Sequence, residues 1–377
     1  MDLELSEVQT RVRETARRIA ETELLPRAKE ADRNAKFPAE QIRALAKEGF
    51  LAMLVPEAFG GTDLGSVCYS LAMTEIARAC ASTAVTMAVT NMVGDAICAW
   101  GNDTQKKKYV PRLARAELLA GSFALSEPGA GSDAAALQAS AVLDGDHYRL
   151  NGSKCWITSG DVAGVILVMA KTDPAAGARG ISTFLVEPSM PGFSVGRHEE
   201  KMGIRGSSTV TINLDDVRVP VENRLGEEGV GFKVAMRALD GGRIGIGSQA
   251  LGMGRAALET AAEYVRGHET LAKKQSIQWK LADTATELDA ARMLVLRAAT
   301  MKHASIPFSK EASMAKVYAT EAANRATHAA VEICGDAALS DDLPLERFLR
   351  DVRVTTIYEG TSEIQRFVIA RQLLAEA

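Results

Sequence analysis

Two changes of hydrophobic period divide this chain. From Val8 through Val12, Ala16, Ile19 and Ala20, apolar residues recur at helical spacing behind a Ser6–Gln9 capping box. Pro38 then opens a second helical run through Ile42, Leu45 and Ala46. "PEAFGGTDLG" connects it to helical patterning over Val67–Trp100 and Asp103–Ala116. Near residue 120 the period falls to two. "HYRLNGSKCWITSG" reads as two alternating runs around Asn151-Gly152, which predicts a hairpin turning at that pair. "VILVMAK", "ISTFLVEP", "FSVGRHE" and "STVTINLDDVRVP" read as further strands. After "ENRLGEEGVGF" the helical period returns, with stretches in Met236–Tyr264, Ser276–His303, Ser309–Ile333 and Leu345–Ala377.

A pattern of one period does not settle as the other structure. The chain is therefore expected to be α+β, with an N-terminal helical domain (1–120), a central β-barrel-like domain (121–228) and a C-terminal four-helix bundle (229–377). Its 377 residues are long for a single core.

Several function classes are disfavoured. A net charge of -4, spread along the chain, is not that of a nucleic-acid binder. The five cysteines form no C-x-x-C pair and the five histidines no H-E-x-x-H, so no metal site is expected. The longest apolar run, Val162–Ala170, is too short to span a bilayer. "MDLELSEVQT" has neither an apolar signal core nor an arginine-rich transit pattern, which points to a cytoplasmic location.

Three stretches carry candidate chemistry. In "FALSEPGAGSD" (Phe123–Asp133), closely spaced glycines and serines leave backbone N–H groups free for a phosphate or a flavin edge. On the glycines alone, a plain turn is the preferred reading. "KCWITSG" sets Trp156 and Thr158 on one strand face, either flanking an aromatic cofactor or simply half-buried. "TTIYEGTSEIQR" places the carboxylate of Glu359 between Tyr358 and Gly360; taken alone it is an exposed loop acid. Gly245-x-Gly247-x-x-Ala250 fits a dinucleotide fingerprint, but it lies in a helical run, so close helix packing explains it better.

In order and wording these motifs resemble the acyl-CoA dehydrogenase family along nearly the whole chain. The resemblance includes "PEAFGG", "FALSEPGAGSD", "KCWITSG", "KMGIRGSST", "DVRVPVENRLGEEGVGF", "LDGGRIGIGSQALG", "LADTATELDAARML" and "IYEGTSEIQR". It implies helical, β and helical domains, and FAD-dependent conversion of an acyl-CoA to its trans-2-enoyl-CoA. Glu359 would be the base that removes the α-proton, while a hydride leaves the β-carbon for the flavin. Some members carry the base at the position of Gly242, which here has no side chain. Phe123, Leu125, Ser126, Gly131 and Ser132 would contact FAD, with Ser126 near the ring. Trp156, Ile157 and Thr158 would flank the flavin, and Gln275, Thr361 and Glu363 would also touch FAD. Ser132, Asp240, Arg243 and Gly360 would line the thioester site, although Arg243 by itself reads as a solvated helix charge. The implied partners are electron-transferring flavoprotein and further copies of the chain, as a homotetramer or dimer.

The chain departs from the family at two places near the same cofactor phosphates. "YVRGHETLAKKQ" is shorter than the family segment and lacks its Arg-x-x-Phe-Gly. Glu332, Gly335 and Asp336 stand where a Gln and a Gly-Gly pair are usual. Carboxylates near a diphosphate weaken its binding by like-charge repulsion. The alternative is an FAD-poor or FAD-free relative doing redox-neutral elimination or isomerisation with the same base. A non-catalytic scaffold is a third reading.

Overall fold

In a computed structural model describing residues 4–375, the N-terminal third is helical. Its helices are α1 (Glu7–Ile19), α2 (Leu25–Arg33), α3 (Ala39–Lys47), α4 (Gly65–Ala79), α5 (Ala81–Trp100) and α6 (Asp103–Ala114). Capping boxes start α1 and α6: Ser6 Oγ accepts from Gln9 N at 3.3 Å, and Asn102 Oδ1 accepts from Gln105 N at 2.9 Å. The helical run expected over Val67–Trp100 is broken by the extended backbone of Cys80, which separates α4 from α5.

The middle region is a mixed sheet of β1 (Gly121–Ala124), β2 (Ser140–Asp144), β3 (His147–Thr158), β4 (Val165–Lys171), β5 (Ile181–Val186), β6 (Phe193–His198), β7 (Thr209–Pro220) and β8 (Arg224–Leu225). The strand path is β6-β7-β3-β2-β4-β5-β8, with β1 added parallel to β4.

The hairpin expected at Asn151-Gly152 is not there. β3 runs through both residues as one strand, and the turn falls at Gly145-Asp146, where Asp144 pairs with His147. Asn151-Gly152 instead sits at a register shift against β7, where Asn151 Oδ1 accepts from Asp216 N at 2.9 Å. Gly152 has φ +142°, and a Cβ there would lie 2.8 Å from the Ala139 methyl. The glycine serves a close strand approach rather than a reversal.

The C-terminal part comprises α7 (Gly231–Arg266), α8 (Glu269–Ala272), α9 (Gln275–His303), α10 (Ser309–Cys334), α11 (Leu345–Val352) and α12 (Ser362–Ala375). Helix α7 is the axis, packed on α10, α4, α5 and α9. Its glycines explain the false fingerprint: a Cβ on Gly245 would meet Tyr69 Oη at 2.5 Å, and one on Gly247 would meet Val295 at 3.1 Å. The helical stretch expected over Leu345–Ala377 is interrupted between α11 and α12, and its last two residues lie outside the described region. The interruption carries Tyr358, Glu359 and Gly360. Among the described residues no helix is long and apolar enough to cross a membrane, and no cluster of His, Cys, Asp and Glu could hold a metal.

Candidate active site

The corner between α11 and α12 turns through two consecutive left-handed residues, Glu359 (φ +52°) and Gly360 (φ +92°). For glutamate that conformation costs about 1–2 kcal/mol, so neighbouring contacts must hold it. Gln365 Nε2 donates to Gly360 O at 2.8 Å and to Glu359 O at 3.2 Å. Lys316 Nζ, from α10, donates to Gly360 O at 2.8 Å. Tyr358 Oη donates to Gln249 Oε1 on α7, and Gln249 Nε2 donates to Ala81 O at 2.9 Å. Three helices thus fix the backbone on either side of one carboxylate.

That carboxylate is not exposed, contrary to the reading of the residue alone. Glu359 Oε2 is buried without a hydrogen-bond partner. It lies on the bare Cα of Gly242, so that a Cβ there would collide with it. Burial pushes the Glu359 pKa up to about 7, against the opposing pull of the Lys316 and Arg243 charges. Beside it is a crevice of about 10 Å³ lined by Leu54, Tyr69, Met92, Ala238, Gly242 and the Asp95–Lys302 ion pair. A larger cavity of about 380 Å³, among Arg13, Glu75, Arg255 and Arg292, does not include Glu359.

Arg243 is no solvated helix charge either. It is 5% exposed, with Nη1 2.5 Å from Asp240 Oδ1 and 3.2 Å from Ser313 Oγ, and its Nε is buried without a partner. Asp240 also accepts from Ser309 Oγ at 3.0 Å. Burial raises the Asp240 pKa despite these partners.

A second group of expected residues meets along β1 and the end of β3. Ser122 Oγ donates to Thr158 O at 2.6 Å, and Cys155 N donates to Ser126 O at 3.0 Å, laying Phe123–Ser126 beside Cys155–Thr158. Behind them Lys154, fully buried, donates to Glu127 Oε1 at 2.7 Å and to Leu125 O at 3.1 Å. Glu127 in turn accepts from Gln138 N and Ala139 N. Trp156 is 62% exposed at φ +61°, at a register shift between β3 and β7, and Thr158 is half-buried. Leu125 and Ile157 point into hydrophobic cores, leaving mainly their backbones for a ligand. Gly131 and Ser132 are exposed in the following turn, and a Cβ on Gly129 or Gly131 would meet nothing within 4 Å. These two glycines are therefore not required by packing within the chain. An open shelf beside the exposed Trp156 ring suits a planar cofactor such as a flavin.

Thr361 and Glu363 follow the Glu359 corner; Thr361 Oγ1 accepts from Ile364 N at 3.4 Å, and Glu363 is exposed. Gln275 is exposed at the start of α9, and no hydrogen bond among the described residues joins it to the shelf. Glu332 is paired with Lys280, which holds its carboxyl below the ordinary range. Asp336 is exposed. Of the cations near the altered segment, Arg266 pairs with Glu263 and Lys273 with Glu269.

Lys316, Tyr69, Gln249 and Gln365 were not singled out by sequence reasoning. A signal existed for Lys316, which interrupts an alanine face formed by Ala312, Ala315, Ala319 and Ala323.

Family models for the acyl-CoA dehydrogenase N-terminal, middle and C-terminal domains match residues 6–117, 122–217 and 229–374. The chain is 46% identical to the mitochondrial short-chain specific acyl-CoA dehydrogenase of Mus musculus, over 99% of this chain and 91% of that protein. The butyryl-CoA dehydrogenase of Megasphaera elsdenii superposes with a TM-score of 0.97 at 40% identity, covering 99% of this chain and all of that one. A chain in the structure described as the electron transferring flavoprotein of Acidaminococcus fermentans gives 0.97 at 41% identity, with the same coverage.

Proposed function

The chain belongs to the acyl-CoA dehydrogenase family, and from that premise we propose that it oxidises a short-chain acyl-CoA to the trans-2-enoyl-CoA with FAD. The observation that carries the reading is Glu359, whose Oε2 is buried without a partner and seated on Gly242 beside a narrow crevice. A carboxylate with a pKa of about 7 is divided between its acid and base forms at neutral pH. It can accept a proton there without binding it too tightly to release it.

The shelf residues Phe123, Ser126, Gly131, Ser132, Trp156 and Thr158, with the backbones of Leu125 and Ile157, would hold the flavin. Thr361, Glu363 and Gln275 complete the set. When bound, FAD supplies the acceptor for the hydride leaving the β-carbon. Glu359 takes the α-proton. Asp240 and Arg243, locked together, line the approach of the thioester with Ser132 and Gly360. Burial of Glu359 excludes water from the proton-transfer step.

The short acyl class is supported by the relatives. The redox-neutral alternative has no such support. Electron-transferring flavoprotein as acceptor and a homotetramer or dimer are further parts of the proposal, as are domains at 1–120, 121–228 and 229–377. Five free cysteines suit a reducing compartment such as the cytoplasm. Incubating the purified protein with acyl-CoAs of graded length and an electron acceptor tests the reading. It predicts loss of two hydrogens from a short substrate; no enoyl product from any length would refute it.

A further inference from the structure

Lys316 is the one fully buried lysine close to the candidate base, and nothing in the reaction as described uses it. It is 0% exposed on α10, on a face otherwise formed by buried alanines. A buried ammonium is costly unless neighbouring groups compensate it. Lys316 Nζ donates to Gly360 O at 2.8 Å. The same carbonyl accepts from Gln365 Nε2, so α10 and α12 clamp the residue that follows Glu359.

We propose that Lys316 is a positioning residue for Glu359, holding the left-handed Glu359–Gly360 corner through the Gly360 carbonyl and setting a buried positive charge on the residue that adjoins the base. The inference rests on the reading of Glu359 as the base. Arg243 does not replace it, because that guanidinium is already tied to Asp240 and Ser313.

The charges on either side agree with this assignment. Burial pulls the Lys316 pKa down to about 8; Glu359 opposes most, Arg243 adds to the lowering, and Glu321 and Glu363 raise it. After burial, Lys316 is the largest influence on Glu359, ahead of Arg243. Tyr69 and Tyr358 also face Glu359, and their hydroxyls stay protonated because burial and that carboxylate raise their pKa values.

Glu359 must be ionised to accept a proton, so kcat climbs as pH rises through its pKa. Removing the Lys316 charge raises that pKa and moves the climb to higher pH.

The test compares kcat–pH profiles of wild type, Lys316→Met and Lys316→Arg. The proposal predicts an upward displacement of about one unit in the Met variant. It also predicts a roughly tenfold or greater loss of kcat at pH 7 with little change in KM, and a profile near wild type in the Arg variant. A lysine that only supports the fold would lower kcat without moving the climb, and a climb that coincides with wild type overturns the proposal. Should the Met variant not fold, Lys316→Gln removes the charge with a polar side chain.

An activity-independent readout separates this inference from the function it rests on. The infrared carboxylic-acid band of Glu359, identified by its loss in Glu359→Gln, can be titrated without substrate. An unchanged pKa in the charge-removing variant overturns the role of Lys316. A wild type that turns over no acyl-CoA overturns the function, while the titration still decides the electrostatic part.

Discussion

Gly242→Ala places one methyl group at the centre of the proposed chemistry. Its Cβ would collide with Glu359 Oε2 and lie 2.7 Å from Cδ and 3.1 Å from Oε1. Ordinary carbon–oxygen contact begins near 3.4 Å, so the carboxylate must withdraw by roughly 1 Å or more. It cannot do so freely, because Gln365 holds its backbone and Lys316 and Gln365 hold that of Gly360. An overpacked core methyl costs about 1–3 kcal/mol of stability. A displacement of about 1 Å at the reacting group costs about 100-fold in rate, equivalent to roughly 2.7 kcal/mol of barrier. The assay is rapid mixing of the flavin-loaded protein with a short-chain acyl-CoA under anaerobic conditions, with thermal unfolding measured in parallel. The expected result is a loss of about two orders of magnitude in the reduction rate with flavin content retained. A Gly242→Ala enzyme reduced within threefold of wild type would refute the placement of the base.

Glu359→Gln is expected to stabilise the protein at pH 8 by up to about 3 kcal/mol, since burial raises the Glu359 pKa from 4.5 to about 7. The folded state holds that proton more tightly than the unfolded state. Its stabilising contribution is therefore complete below about pH 4.5 and lost as pH rises through about 7, so the gain in the Gln variant should vanish in acid; denaturant titrations at both pH values check this. Lys154→Met leaves Glu127 buried and unpaired under the shelf, and should cost about 3–5 kcal/mol in chemical denaturation and release flavin. Gly152→Val, at φ +142° against Ala139, should destabilise by about 1–3 kcal/mol in the same measurement. Glu332→Gln and Asp336→Gly each remove a carboxylate from the altered segment; reconstitution of apoprotein should show FAD bound several-fold tighter in each, or about 1 kcal/mol.

The order of helices, sheet and helices was legible because a period of 3.6 and a period of 2 cannot be confused over long stretches. The turn at Gly145-Asp146 was available as a two-residue Gly-Asp hairpin signal, but Asn151-Gly152 is the stronger local pattern. Only the partner strands reveal that Gly152 is needed for its missing side chain. At the site, the identity of Glu359 came through the family motif, whereas the residues that bury it did not. A carboxylate between Tyr358 and Gly360 looks like a loop residue until α7, α10 and α12 close around it. Arg243 was misjudged alone for the same reason: Ser313, which it meets, is 70 residues away on α10. Lys316 was the most readable of the missed residues, since a lysine on an alanine face is a local inconsistency that burial must explain.

The central claim is that Glu359 transfers the α-proton while the flavin is reduced. The most direct measurement is the visible spectrum of wild type and Glu359→Gln, each loaded with FAD and mixed anaerobically with butyryl-CoA. The account predicts bleaching in the wild type, and in the variant a spectrum that responds to ligand binding without bleaching. Bleaching of the Gln variant at the wild-type rate would contradict it.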